Sequence, residues 1–197
     1  MLSTGYINTP KEIYERQSIL EPTDSALPER YLLKNLLPVQ NQGNLPACVG
    51  YVINEMYQYR LQLDGLSDAA RITPEYIYRS RSNREVDGMN PVDGFTILRE
   101  SISDSFKLHW ARLSTAAIKE AVMGLGPVML CMACHSYSKE FWKGGGLLGG
   151  HAVSIVGWNG GRFILKNSWG TEWADGGYTE ILLPEINSYG QEMWVLI

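Results

Sequence analysis

The chain is short of cysteine, of long apolar runs and of positive charge, and each shortage removes a class of protein. Its 197 residues include three cysteines, Cys48, Cys131 and Cys134. An odd, small number does not build the disulfide frame of a small secreted domain, so the reading is the cytoplasm or another reducing compartment. The longest uncharged apolar stretch, residues 121–134, is broken by Gly126-Pro127. It reads as a helix end followed by a strand, not as a membrane span. The opening MLSTGYINTPKEIYER lacks the basic start and apolar core of a secretory signal. Lysine and arginine total 17 against 21 aspartates and glutamates, for a net charge of −4. That balance argues against nucleic acid or anionic membrane as the main partner, since both need a basic face.

What remains is an ordinary globular composition, 45% apolar and 19% charged, long enough for one unit or for two lobes sharing a cleft. Residues 1–26 are polar. Within them Thr9-Pro10-Lys11-Glu12 fits a capping box and predicts a short helix to about Gln17. From Pro46 to Leu63, Val49, Val52, Ile53, Met56 and Tyr57 recur at helical spacing, which places Cys48 in the first turn of a helix. Thr73-Pro74 and Asn90-Pro91 each read as a cap followed by proline, opening two more helices. Ser114 is expected to cap a fourth, which stops at Gly124. The period then shortens: PVMLCMA, HAVSIVGW, RFILKNSW, YTEILL and EMWVLI are short, β-rich and separated by glycines. They predict an antiparallel sheet or barrel. The fold class is therefore α+β, divided as an extension 1–26, a mainly helical part 27–104 and a mainly β part 105–197.

The chemistry concentrates in three segments. PVQNQGNLPACVGYV, residues 38–52, sets Gln42 six residues before Cys48. GGHAVSIVGW carries His151, and LKNSWGTEWADGGY carries Asn167. A thiol, an imidazole and two side-chain amides are the parts needed for thiol-based acyl transfer. A helix N-terminus and a nearby imidazolium both favour a thiolate at Cys48. On these residues the chain, from about Leu27 to its end, resembles the papain-like cysteine peptidases.

The resemblance implies a two-lobe fold with a cleft between a helical and a β lobe. It implies that Cys48 is the nucleophile, His151 its proton partner and Asn167 the group that orients the imidazole under Trp169. Gln42 and the Cys48 N–H would hold the oxyanion. Substrate would be bound by Gly88, Met89, Pro91, Cys131, Gly150 and Ala152 as well as Trp169. Pro91, Cys131 and Ala152 carry no charge and imply an apolar preference at the second residue before the cut. Glu192 reads as a solvated strand residue, with an approach to the floor of that pocket as the alternative. Neither a cofactor nor a metal is expected, because Cys131-x-x-Cys134 on a strand splays its thiols to opposite faces. The chain departs from the family at Leu45-Pro46, where a cysteine–glycine pair is usual, and in its shortened loops. In this it resembles the compact bacterial, archaeal and viral members. The expected partner is a peptide or protein substrate, acted on by a monomeric endopeptidase. A thiol acyltransferase or isopeptidase on the same fold, and a non-catalytic peptide-binding module, stay open. The apolar residues Tyr6, Ile7, Ile13, Tyr14 and Leu20 imply that residues 1–26 pack on the body, either on the outside of the β part or over Cys48 as an autoinhibitory segment.

Overall fold

The computed structural model describes residues 2–23, 26–67, 72–102 and 108–197. Its centre is α2, Cys48–Leu63, which follows a four-residue α1 (Lys11–Tyr14) and two short strands, β1 (Ile19–Leu20) and β2 (Arg30–Leu32). From Cys48 to Tyr57 every residue of α2 is buried. A helix apolar on one stripe covers one partner, whereas burial all round needs partners on both sides. Here α3 (Pro74–Arg79) and α4 (Pro91–Ser101) pack on one side of α2, and strands of the sheet on the other. Both short helices start as their sequences dictate. Thr73 Oγ1 accepts from the N–H of Tyr76 at 3.1 Å, and Asn90 Oδ1 from that of Asp93 at 2.9 Å. Each has proline at its first position, where no N–H is needed.

The other half is a sheet built from β3 (Trp110–Leu113), β4 (Val128–Cys134), β5 (Gly149–Asn159), β6 (Arg162–Lys166), β7 (Tyr178–Leu182) and β8 (Gly190–Leu196). The order is β1-β3-β8-β4-β5-β6-β7, with β2 added on β5. The sheet is open, so of the two sequence-based options the barrel is not formed. All pairs are antiparallel except β1 on β3. Helices α5 (Ile118–Leu125) and α6 (Leu183–Tyr189) pack on this half. β4 and β5 bury both their faces, each in a different core. Leu130, Val153 and Ile155 join the sheet-side cluster, whereas Met129, Cys131 and Ala152 join the cluster around α2.

Three local readings need correction. The capping box at Thr9 does not form, because Thr9 binds Glu192 with both its N–H and its hydroxyl. The helix that follows ends at Tyr14, short of Gln17. Ser114 makes no capping hydrogen bond, and its segment opens as a 3-10 turn, Thr115–Ala117, before α5 runs on to Leu125. Strands β1 to β3 were not legible, being too short to show a period of two.

A buried ion pair joins the two halves. Glu55 of α2 meets Lys166 of β6, with the side chains 9% and 4% exposed. Ser154 Oγ donates to Glu55 Oε2 at 3.0 Å, and Lys166 Nζ donates to the Leu37 carbonyl at 2.6 Å. Burial pushes the Glu55 carboxyl up, and Lys166 pulls it partly back. Glu55→Leu, which strands the lysine, is expected to cost about 3–5 kcal/mol, and adding Lys166→Met should recover most of that loss. Urea unfolding of the four proteins measures this; strictly additive losses would refute the coupling.

Candidate active site

Cys48 is the first residue of α2 and is fully buried. Its helix position comes from Pro46, which cannot continue a helix inward and so sits just outside it, with Ala47 as the cap residue. Burial pushes the thiol up to about 12, although backbone hydrogen bonds from Ala152, Val49 and Gly5 work in the other direction. Ala152 follows His151 on β5, so sheet and helix meet at the sulfur.

His151 and Asn167 are brought together on β5 and just after β6. His151 Nε2 lies 2.8 Å from Asn167 Oδ1. That same oxygen accepts the N–H of Ser168 at 2.8 Å. A backbone N–H can only donate, so the atom it meets is the amide oxygen, and His151 must carry its proton on Nε2. Nδ1 is then left as the free base, and among the described residues it has no hydrogen-bond partner. The Trp169 ring stacks on the imidazole at 4.3 Å and 22°, and Phe141 meets it edge-on at 5.3 Å. These rings exclude water from the His151–Asn167 bond.

Gln42 is held by a residue that sequence reasoning missed. Ser168 Oγ donates to Gln42 Oε1 at 2.6 Å, which turns the amide NH₂ outward. Nε2 then donates to the carbonyl of Leu45 at 2.8 Å and to that of Ser3 at 3.2 Å. Ser168 thus links both amides, through its N–H to Asn167 and its hydroxyl to Gln42.

The second acceptor shows where the N-terminal arm runs. Residues 3–9 cross the cleft beside Cys48. Ser3 O accepts from Gln42 and, at 3.0 Å, from Trp169 Nε1. The N–H groups of Gly5 and Tyr6 donate to Gly150 O at 2.9 and 2.8 Å. Met89 N–H donates to Gly5 O at 2.9 Å, and Ile7 N–H to Met89 O at 3.1 Å. The Tyr6 side chain is buried in one cluster with Cys48, Met89, Cys131 and Ala152. Burial, then Cys131 and Glu192, raise its phenol. Gly88 abuts Gly5, since a Cβ there would lie 2.7 Å from Gly5 O. Of the expected substrate-binding residues, Met89, Cys131, Gly150, Ala152 and Trp169 all face the arm, and Pro91 is buried at the first turn of α4. Glu192 is not solvated. It is 6% exposed and accepts from Thr9 N–H at 2.6 Å, Thr9 Oγ1 at 2.9 Å and Trp194 Nε1 at 2.8 Å. Its alternating strand pattern hid this, because the arm covers a face that would otherwise meet solvent.

A thiol at a helix start, an imidazole with a fixed tautomer and an outward amide suit covalent acyl transfer. The sequence profile of the papain family cysteine proteases matches residues 33–196. The chain belongs to this family. This papain-family chain is 34% identical to papain of Carica papaya over 70 residues, which are 32% of the chain and 20% of that protein. To cathepsin L2 of Homo sapiens it is 24% identical over 181 residues, 84% of the chain and 49% of that protein. It spans about half or less of the length of the curated relatives it matches. In fold it is similar to xylellain, a cysteine protease from Xylella fastidiosa, with a TM-score of 0.81 at 20% identity over 99% of this chain and 96% of that one. A procathepsin L2 proteinase from the Tenebrio molitor larval midgut aligns with a TM-score of 0.71 at 17% identity, over 99% of this chain and 78% of that one.

The covered cleft makes a pH prediction. Burial lowers His151 to about 4, partly offset by its bond to Asn167. An unfolded histidine titrates near about 6.5. Between these values the unfolded chain binds a proton that the folded chain refuses, so stability falls as pH drops through this window, by about 3 kcal/mol in all. His151→Gln should flatten that part of the stability–pH profile, measured by urea unfolding from pH 7 to 4. An unchanged slope would place the titration elsewhere.

Proposed function

We propose that the chain is a cysteine endopeptidase whose Cys48 thiolate attacks a peptide carbonyl. The observation that carries this reading is the buried His151 Nε2–Asn167 Oδ1 bond, which leaves Nδ1 unpartnered in a site whose thiol starts a helix. In this reading Nδ1 takes the thiol proton and returns it to the leaving amine, so the amine leaves neutral and the acyl group stays on sulfur. Gln42 Nε2 and the Cys48 N–H stabilise the oxyanion of each tetrahedral intermediate. Water, activated by the now neutral imidazole, then releases the acid and restores the thiol. Residues 27–104 supply the thiol-bearing lobe and 105–197 the imidazole-bearing lobe.

Tyr6 stands in for a substrate side chain in this proposal. It supports an apolar or aromatic preference at the second residue before the cut, between Met89, Cys131 and Ala152. The arm stands in for substrate but runs the other way. A substrate enters the Tyr6 pocket and then continues toward Gln42 and Trp169 with rising residue number. In the arm the number falls from Tyr6 to Ser3 over that path. The backbone group of the arm that meets the sulfur is the Gly5 N–H, which is not an electrophile. We infer that residues 1–26 include an autoinhibitory segment and that the intact chain is a closed form. The neutral pair at Cys48 and His151 is a property of this closure, since burial is the leading cause of both shifts. Rapid alkylation of Cys48 near pH 6, as an exposed ion pair would give, is accordingly expected of the open form alone.

Cleavage profiling with a peptide library, with Cys48→Ala as control, tests the activity. Gln42→Ala should lower kcat/KM by roughly 10²–10³, and Cys48→Ala by on the order of 10⁴ or more. Cleavage that persists in Cys48→Ala would end the thiol mechanism. Cys131 and Cys134 are expected to alkylate slowly throughout, since burial raises both thiols.

A further inference from the structure

We propose that the arm divides at Pro10 into a detachable plug, residues 2–9, and a permanent strap, residues 10–23 and 26–33, that the active enzyme keeps. The proposal rests on the peptidase reading only where hydrolysis is the readout.

The two parts bind different surfaces in different ways. The plug touches the cleft, and its hydrogen bonds to Gly150, Met89, Gln42 and Trp169 are all made by its own backbone. Any extended peptide offers the same N–H and C=O groups, so a substrate can replace the plug bond for bond. The strap makes bonds that no substrate replaces. Tyr14 stands edge-on to Trp194 at 5.4 Å, and the Arg112 guanidinium lies 4.4 Å over the Tyr14 ring. Trp110 Nε1 donates to Gln17 Oε1 at 3.1 Å. β1 then extends the sheet beside β3, and Thr23 donates with its N–H and hydroxyl to Glu120. Tyr31 of β2 stacks on Trp158 at 5.1 Å, where β2 supplies the last paired strand of β5. Leu20, Leu27, Tyr31 and Leu33 belong to the sheet-side core or pack against it. Between the two parts, Asn8 and Pro10 to Ile13 are exposed, apart from Thr9 on Glu192.

The plug also has a steric gate. A Cβ on Gly5 would lie 1.9 Å from the Pro46 carbonyl oxygen, 2.2 Å from its carbon and 2.8 Å from its Cα. These are backbone atoms at the start of α2 and cannot turn away as a side chain does. Only glycine lets the plug pass Cys48. A single methyl group at this position therefore lifts the plug from the cleft without altering any residue of the site or of the strap.

The test uses the full chain. In Gly5→Ala, iodoacetamide labelling of Cys48 and hydrolysis of a fluorogenic peptide should both rise by about tenfold or more, because the open form becomes the dominant population. The melting temperature should fall but unfolding should stay cooperative, since Tyr6 leaves the cluster around α2 while the strap keeps its packing on the sheet-side core. Tyr14→Ala, which loosens the strap, should lower the melting temperature and leave labelling unchanged. Deletion of residues 2–9 should reproduce Gly5→Ala, whereas deletion of residues 2–23 should lose the cooperative melt. Unchanged labelling in Gly5→Ala overturns the plug. Equal gains in labelling from Gly5→Ala and Tyr14→Ala overturn the division at Pro10. Faster labelling without hydrolysis would uphold the plug and refute the peptidase.

Discussion

The buried pair of Glu55 and Lys166 is the constraint on which the site depends. The candidate groups come from both sides of a seam between helices and sheet, and neither side alone contains a working set. Glu55 lies about two helical turns after Cys48, and Lys166 is the residue before Asn167. Pairing them sets how far α2 slides along β5 and β6. A slide of one residue would move Cys48 by about 1.5 Å along the helix axis, enough to separate the sulfur from the Ala152 N–H. A charged pair is a demanding tie for this purpose. Its energy collapses when either partner moves away, because a lone buried charge is costly. An apolar contact of the same area would tolerate sliding. Ser154 and the Leu37 carbonyl complete the hydrogen bonding and so narrow the permitted geometry further.

Within that frame, Ser168 and the aromatic cluster determine orientation. One residue fixes two amides in opposite senses: the oxygen of Asn167 is turned toward His151, and the nitrogen of Gln42 toward the cleft. Trp169 lies flat on the imidazole while Phe141 and Trp173 both meet Trp169 edge-on. Such packing keeps the imidazole in one position, where the Asn167 oxygen that accepts from Nε2 holds its tautomer. The chemistry needs both properties, because a base whose lone pair points away from the thiol is inert.

The arm uses the same cleft in the opposite sense. Its backbone satisfies the groups that would hold a substrate, but its polarity presents an N–H to the sulfur. In the closed form proposed above, inhibition would require no residue of the site to be distorted. It would follow from chain direction, together with the glycine where the backbone of the arm meets the backbone before α2.

Much of the candidate site was legible before any fold was known. Helical spacing after Cys48, the caps at Thr73 and Asn90 with proline next in each, and the β-rich runs around His151 and Asn167 are local signals, and local hydrogen bonding decides them. Gln42, Cys48, His151 and Asn167 stood out because their residue types occur in short, distinctive segments. What tertiary structure alone decided involves partners far apart in the chain. Glu192 meets Thr9 across 183 positions, and Lys166 meets Glu55 across 111. Nothing periodic marks such pairs, and Glu192 on its strand looks like any solvent-facing carboxylate until the arm covers it. A position over Cys48 was one of two expectations for residues 1–26, but the path of residues 3–9 was hidden, since its bonds use backbone groups that every sequence possesses. Side-chain chemistry is written residue by residue, but backbone hydrogen bonding and close approach are not, and they appear only once the chain has folded on itself.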